Sequence, residues 1–145
     1  MIKIYTDGAC KGNPGVGGWG ALILKDGKNI ELFGGERETT NNRMELLAVI
    51  MALKEISSSA ELTIYTDSTY VQKGISEWIK NWKINDWRSS SKKPVKNKDL
   101  WIELDEASAL RKINWEWVKG HAGNEGNEKA DELANKGVVS MMGRI

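Results

Sequence analysis

Ile2, Ile4 and Thr6 alternate with Lys3, Tyr5 and Asp7, a period of two that predicts a first strand ending at Asp7, with Gly8 as its punctuation. A stretch rich in glycine follows and reads as a loop. Trp19 to Lys25 and Lys28 to Phe33 then flank Asp26-Gly27, a strong short-range hairpin signal, so strands two and three are expected to run antiparallel. Thr39-Thr40-Asn41-Asn42 offers several N-caps in a row. Behind them Arg43 to Ile56 holds no Gly or Pro and predicts a helix that is apolar nearly all round. Leu62 to Asp67 reads as a fourth strand, and Thr69 to Trp82 as a helix with Val71, Ile75, Trp78 and Trp82 on one face. After a loop over Lys83 to Asn97 come a helix from about Lys98 to Leu110 and a strand with Ile113, Trp115 and Trp117 on one face. A last helix covers roughly Glu125 to Lys136, with Gly137 as its stop.

Three meander strands followed by strands that alternate with helices imply an α/β fold, a five-stranded mixed sheet with helices on both faces. At 145 residues the chain has the length of one domain, expected to span 1–145, and no linker divides it. Lys and Arg number 21 against 20 Asp and Glu, which excludes a protein that coats nucleic acid by overall charge. The longest apolar run, Leu46 to Leu53, is far short of the roughly 18 residues of a membrane span, and Asp7 interrupts any signal-peptide core. No membrane association is therefore expected. The single cysteine, Cys10, allows no intrachain disulfide and no cysteine-based zinc site, so a cytoplasmic setting is expected.

Ile4-Tyr5-Thr6-Asp7 recurs as Ile64-Tyr65-Thr66-Asp67. If the two strands are parallel neighbours, a spacing of about 4.8 Å brings both aspartates near one cation. Taken singly, each Asp reads more readily as a turn former, and Asp67 as the cap of the next helix. Glu45 sits in the apolar segment Met44 to Leu53, where a bare carboxylate is costly to bury, although a place in the first helical turn is the alternative. Asp131 flanks the small-residue face of Ala130, Ala134 and Gly137, and alone reads as a surface charge. Oxygen-only ligands select Mg²⁺ or Mn²⁺ over zinc. Gly15-Val16-Gly17-Gly18-Trp19-Gly20 satisfies GxGxxG, but a strand rather than a helix follows it, which argues against a nicotinamide-dependent reductase.

Taken together, the motifs Tyr5-Thr6-Asp7-Gly8, Gly12-Asn13-Pro14-Gly15, Thr40-Asn41-Asn42-Arg43-Met44-Glu45, Thr66-Asp67-Ser68, Lys93-Pro94-Val95-Lys96-Asn97, Trp117-Val118-Lys119-Gly120-His121-Ala122-Gly123 and Asp131-Glu132-Leu133-Ala134 resemble type 1 ribonuclease H of the bacterial kind, almost end to end. The resemblance implies the ribonuclease H-like fold and an endoribonuclease that hydrolyses the RNA strand of RNA–DNA hybrids by a two-metal-ion mechanism, leaving 5′-phosphate and 3′-hydroxyl ends. It places Asp7, Glu45, Asp67 and Asp131 as the ligands of two Mg²⁺ ions, with Mn²⁺ as the alternative, and His121 as a mobile catalytic histidine in a loop with Gly120, Gly123 and Gly126. It implies that Asn13, Asn41 and Asn42, with Cys10 beside them, contact the RNA, and that the glycines let backbone approach the minor groove.

The same resemblance places Thr40 and Asn81 in a phosphate pocket for the DNA strand and Trp78 against its sugars. Lys73 to Lys98 carries eight basic residues against Glu77 and Asp86, and within it a basic handle spans about 80–98. Glu38 departs from the family at a position where a basic residue assists the phosphate pocket, and the tip Ile84-Asn85-Asp86 is less basic than in well-known members. A monomer is expected, without a separate N-terminal hybrid-binding domain. The alternative is a ribonuclease H-like nuclease or polynucleotide transferase acting on DNA, which the asparagine motif and the lack of an added DNA-binding module disfavour.

Overall fold

The computed structural model describes residues 2–57, 60–118 and 124–143. In chain order it forms β1 (Ile2–Gly12), β2 (Gly15–Lys25), β3 (Lys28–Thr39), α1 (Asn41–Lys54), β4 (Glu61–Thr66) and α2 (Thr69–Lys73). A π-helical turn (Gly74–Trp78) leads from α2 into α3 (Ile79–Ile84), followed by α4 (Lys98–Ala109), β5 (Lys112–Trp117) and α5 (Glu125–Met142). The strands form one sheet in the order β3-β2-β1-β4-β5. β1, β2 and β3 pair antiparallel, whereas β1–β4 and β4–β5 are parallel, giving the mixed sheet expected of the pattern.

Local chemistry sets the elements. Asp26 and Gly27 both take positive φ, +51° and +76°, with Lys25 paired to Lys28, so the two-residue turn has the twist that antiparallel strands need. Thr40 caps α1, its side chain accepting from the Arg43 N–H. Helix α1 buries Met44 through Leu53 on nearly every side, closing a core of Ile4, Ile23, Leu62 and Ile64 from the sheet with Leu100, Trp101 and Leu104 of α4. On the opposite face α5 crosses β2 at glycines. A Cβ on Gly20 would lie 2.5 Å from the Ala130 carbonyl oxygen, and one on Gly18 would collide with that of Ala134.

Three expectations change. β1 does not end at Asp7 but continues to Gly12, because β2 already begins at Gly15 and pairs Cys10 with Gly17 and Asp7 with Gly20. The glycine-rich stretch is thus strand rather than loop, and Gly18 and Gly20 serve the close approach of α5, not that of a minor groove. Nor does Gly137 stop the last helix. It is buried within α5 where a Cβ would strike the Gly34 carbonyl, so close packing outweighs the ~1 kcal/mol that glycine costs inside a helix.

Candidate active site

The parallel ladder between β1 and β4 ends at Tyr5 opposite Tyr65, while β1 runs on beside β2. The sheet therefore parts between its two central parallel strands just where Asp7 and Asp67 follow. Helix α1 brings the third carboxylate. Gly8 lets α1 lie directly on β1, since a Cβ there would stand 2.6 Å from the Glu45 nitrogen, and Glu45 is delivered beside Asp7. Ligand oxygens of Asp7, Glu45 and Asp67 all lie within 4.8 Å of one another.

The local alternatives for these residues are taken by neighbours. Ser68, not Asp67, caps α2, its hydroxyl accepting from the Val71 N–H at 3.1 Å. Thr40 caps α1, which puts Glu45 beyond the first turn. Asp7 accepts from the Gly8 N–H at 2.9 Å and is 6% exposed. Glu45 is 5% exposed, and its Oε1 is buried with no hydrogen-bond partner. Burial first, then the charge and hydrogen bond of Asp7 and the charge of Asp67, push the Glu45 carboxyl well above the ordinary range, against a lowering hydrogen bond from Gly8. A buried acceptor aimed among carboxylates lacks a positive partner, and a hard divalent cation fits this all-oxygen donor set.

Asp131 projects from α5, half-buried, outside the 4.8 Å set, with Asn135 Nδ2 donating to its carbonyl at 2.9 Å and to Oδ1 at 3.4 Å. His121 falls outside the described residues. The proposed RNA contacts gather at the entrance to α1. The exposed Asn13 accepts from the Asn41 N–H at 3.2 Å, Cys10 Sγ donates to the Thr39 carbonyl at 3.4 Å, and Asn41 and Asn42 are exposed beside Thr40.

Thr40 and Asn81 are not joined by any described contact. From the turn that Thr40 caps, Arg43 forms a bidentate pair with Asp99 at 3.0–3.1 Å and donates to Asn97 Oδ1 at 3.3 Å. That pairing raises the Arg43 pKa and lowers that of Asp99. Asn97 in turn donates to the Tyr70 hydroxyl, as does Trp101 Nε1. Asn97, which holds a left-handed conformation at the start of α4, was not singled out from sequence beyond its motif.

Asn81 instead lines a cleft of about 480 Å³ with Trp78, Trp82, Asn85 and Arg88. Trp82, on the same predicted helix face as Trp78, is half-buried, packs against Trp78 at 5.7 Å at this cleft and lies against the core on its other side. Trp101, by contrast, is fully buried. The residues Lys80, Arg88, Lys92, Lys93 and Lys96 are exposed, and of them Arg88 lines the cleft.

The RNase H family model matches residues 1–139. The ribonuclease H of Nitrosospira multiformis is 64% identical over 142 residues, 98% of this chain and 92% of the relative. That of Francisella tularensis subsp. novicida is 57% identical over 99% of this chain and 94% of its own length. Among solved structures, LC9-RNase H1, described as a type 1 RNase H with the type 2 active-site motif, superposes with a TM-score of 0.84 at 31% identity, over 97% of this chain and 72% of its own. LC11-RNase H1, solved in complex with RNA/DNA hybrid, gives 0.74 at 25% identity over 98% and 99%.

Proposed function

The chain belongs to the RNase H family, whose activity is endonucleolytic hydrolysis of the RNA strand in an RNA–DNA hybrid, and on that premise we propose which of its residues carry the reaction. Asp7, Glu45 and Asp67 are the central cation ligands, and Asp131 completes the set from α5. The observation that carries this reading is the buried, unpartnered Oε1 of Glu45 between two aspartates where β1 and β4 part. We take the ion to be Mg²⁺, two per site during catalysis, with Mn²⁺ able to replace it. Bound there, divalent ions would supply activation of a water and charge stabilisation at the leaving 3′-oxygen, chemistry that would leave 5′-phosphate and 3′-hydroxyl ends.

The remaining residues hold the substrate. Asn13, Asn41 and Asn42, with Cys10 beside them, donate to and accept from 2′-hydroxyls, which suits reading RNA without reading its sequence, and the bond from the Asn41 N–H to Asn13, which joins the two segments, supports this reading. Thr40 and Asn81, with Trp78, contact the DNA strand, and the handle at about 80–98 follows its phosphates. His121 assists proton transfer or the departure of metal and product. The domain spans 1–145, and the enzyme works as a monomer in the cytoplasm. The lone thiol Cys10 suits that reducing compartment, and no helix among the described residues is long and apolar enough to cross a membrane.

The test is cleavage of a 5′-labelled RNA strand in a hybrid, in duplex RNA and single-stranded, with duplex DNA alongside, each in Mg²⁺ and in EDTA. Cleavage of the hybrid alone, abolished by EDTA, is expected. Cleavage of duplex DNA in place of the hybrid would overturn the substrate assignment.

A further inference from the structure

The repeated Ile-Tyr-Thr-Asp motif contributes its aspartates to the site, and its tyrosines have so far no task. Tyr5 and Tyr65 are register partners on β1 and β4, and their rings stack at 4.5 Å with planes 13° apart. Strand alternation puts Tyr5 on the same face as Asp7, two residues before it. The first turn of α5 rests on the Tyr5 ring of this pair, since a Cβ on Gly126 would stand 2.5 Å from three of its carbons. Further along the helix Asn127 and Ala130 are buried, the latter against Gly20, and the turn ahead of them is the part that Tyr5 carries. A cleft of about 680 Å³ opens there, lined by Tyr5, Leu22, Leu24, Glu31, Asn124 and Lys129 among others. Lys129 pairs with Glu31 at 3.5 Å, but an ion pair so exposed contributes little.

We propose that the stacked Tyr5–Tyr65 pair is a positioning platform that seats the Gly126 turn of α5 and so sets where Asp131 stands relative to Asp7, Glu45 and Asp67. The inference rests on the assignment of Asp131 as a cation ligand above. Asp131 follows Gly126 by five residues, about 7.5 Å along the helix axis, so a tilt of the first turn carries its carboxylate with it. Because its carboxylate lies outside the 4.8 Å cluster, the approach of Asp131 to a shared cation is governed by the seating of α5. Tyr5 and Tyr65 are positioning residues, acting through the helix and not on the substrate. What the platform needs is the ring, not the hydroxyl.

Tyr5→Leu and Gly126→Ala are therefore expected to raise the Mg²⁺ concentration for half-maximal hybrid cleavage about fivefold, with KM for the hybrid within about twofold of wild type. Amide exchange at Asn127 to Asp131 should accelerate about tenfold while the amides of α1 keep their protection. Tyr5→Phe should behave as wild type in both measurements. A merely structural role would lower Tm in Tyr5→Leu yet leave both the Mg²⁺ requirement and the α5 exchange pattern unmoved, and that result overturns the proposal. Should Tyr5→Leu fail to fold, Tyr65→Leu and Gly126→Ala decide by the same two measurements. If the wild-type protein cleaves no hybrid, the functional reading fails by itself, and exchange alone still judges the platform.

Discussion

Glu45 and Asp7, 5% and 6% exposed, form a buried carboxyl pair in which Glu45 holds its proton more tightly than an ordinary glutamate. A carboxyl whose folded pKa is raised gives stability that is complete below its unfolded value of about 4.3 and is lost as the pH climbs through the raised value. The metal-free protein should therefore lose stability toward neutral pH because of this group. Glu45→Gln removes the term. In EDTA at pH 7 to 8 the variant should be more stable than wild type by about 1 kcal/mol or more, a rise in Tm of roughly 3 °C. Thermal melts from pH 4 to 8 check this, and the difference should vanish near pH 4. Added Mg²⁺ should stabilise wild type and not the variant.

Asp7→Asn and Asp67→Asn should leave the fold intact while lowering kcat on the hybrid by about 10³-fold, some 4 kcal/mol of barrier. Relief of repulsion against Glu45 should raise the Tm of Asp7→Asn in EDTA. Replacing His121 with Ala should slow turnover without abolishing it, since the carboxylates remain. Single-turnover and steady-state rates on one labelled hybrid separate these outcomes, and wild-type activity in Asp67→Asn would remove it from the cation site.

Much of this was legible because strong local signals coincided. The period of β1, the Asp26-Gly27 turn and the caps before α1 each fixed an element without help from the rest of the chain. The acidic site was legible as residues but not as geometry, since nothing in the sequence shows that Gly8 lets α1 approach closely enough for Glu45 to meet Asp7. The misreadings all involve glycine. Gly15 to Gly20 and Gly137 carry turn-like composition, yet they stand in a strand and a helix because two elements need to touch backbone to backbone there. That demand is tertiary, and local propensity cannot express it. Trp82 and Trp101 share one composition signal, and packing alone leaves the first half-buried between core and cleft and the second fully buried.

Gly137→Ala tests that reading against helix propensity, which favours alanine by about 1 kcal/mol. Here a Cβ meets the Gly34 backbone, which cannot rotate away as a side chain can. The clash should prevail, for a net loss of about 2 kcal/mol and a fall in Tm of roughly 6 °C. Gly143→Ala is the control, because its nearest neighbour to a new Cβ is 3.6 Å away. Urea denaturation of both variants checks the pair, and equal stability of the two would contradict close packing as the reason for glycine at 137.

The handle predicts a charge effect separable from recognition of RNA. Lys92 and Lys93 are exposed, whereas Lys83 is held at 3.3 Å by Asp105 and is less available to a phosphate. Each phosphate neutralised by a lysine contributes about 0.9 to the slope of log affinity against log salt on a duplex. Replacing Lys92 and Lys93 with Ala should therefore lower that slope by up to about 1.8, with a smaller change for Lys83→Ala. Asn41→Ala, which removes a neutral hydrogen-bonding group, should weaken binding of the hybrid at every salt concentration and leave the slope unchanged. Anisotropy titrations of a labelled hybrid in EDTA, from about 25 to 200 mM salt, give all four slopes. A slope unaffected by loss of both lysines would take the DNA-strand phosphates away from the handle.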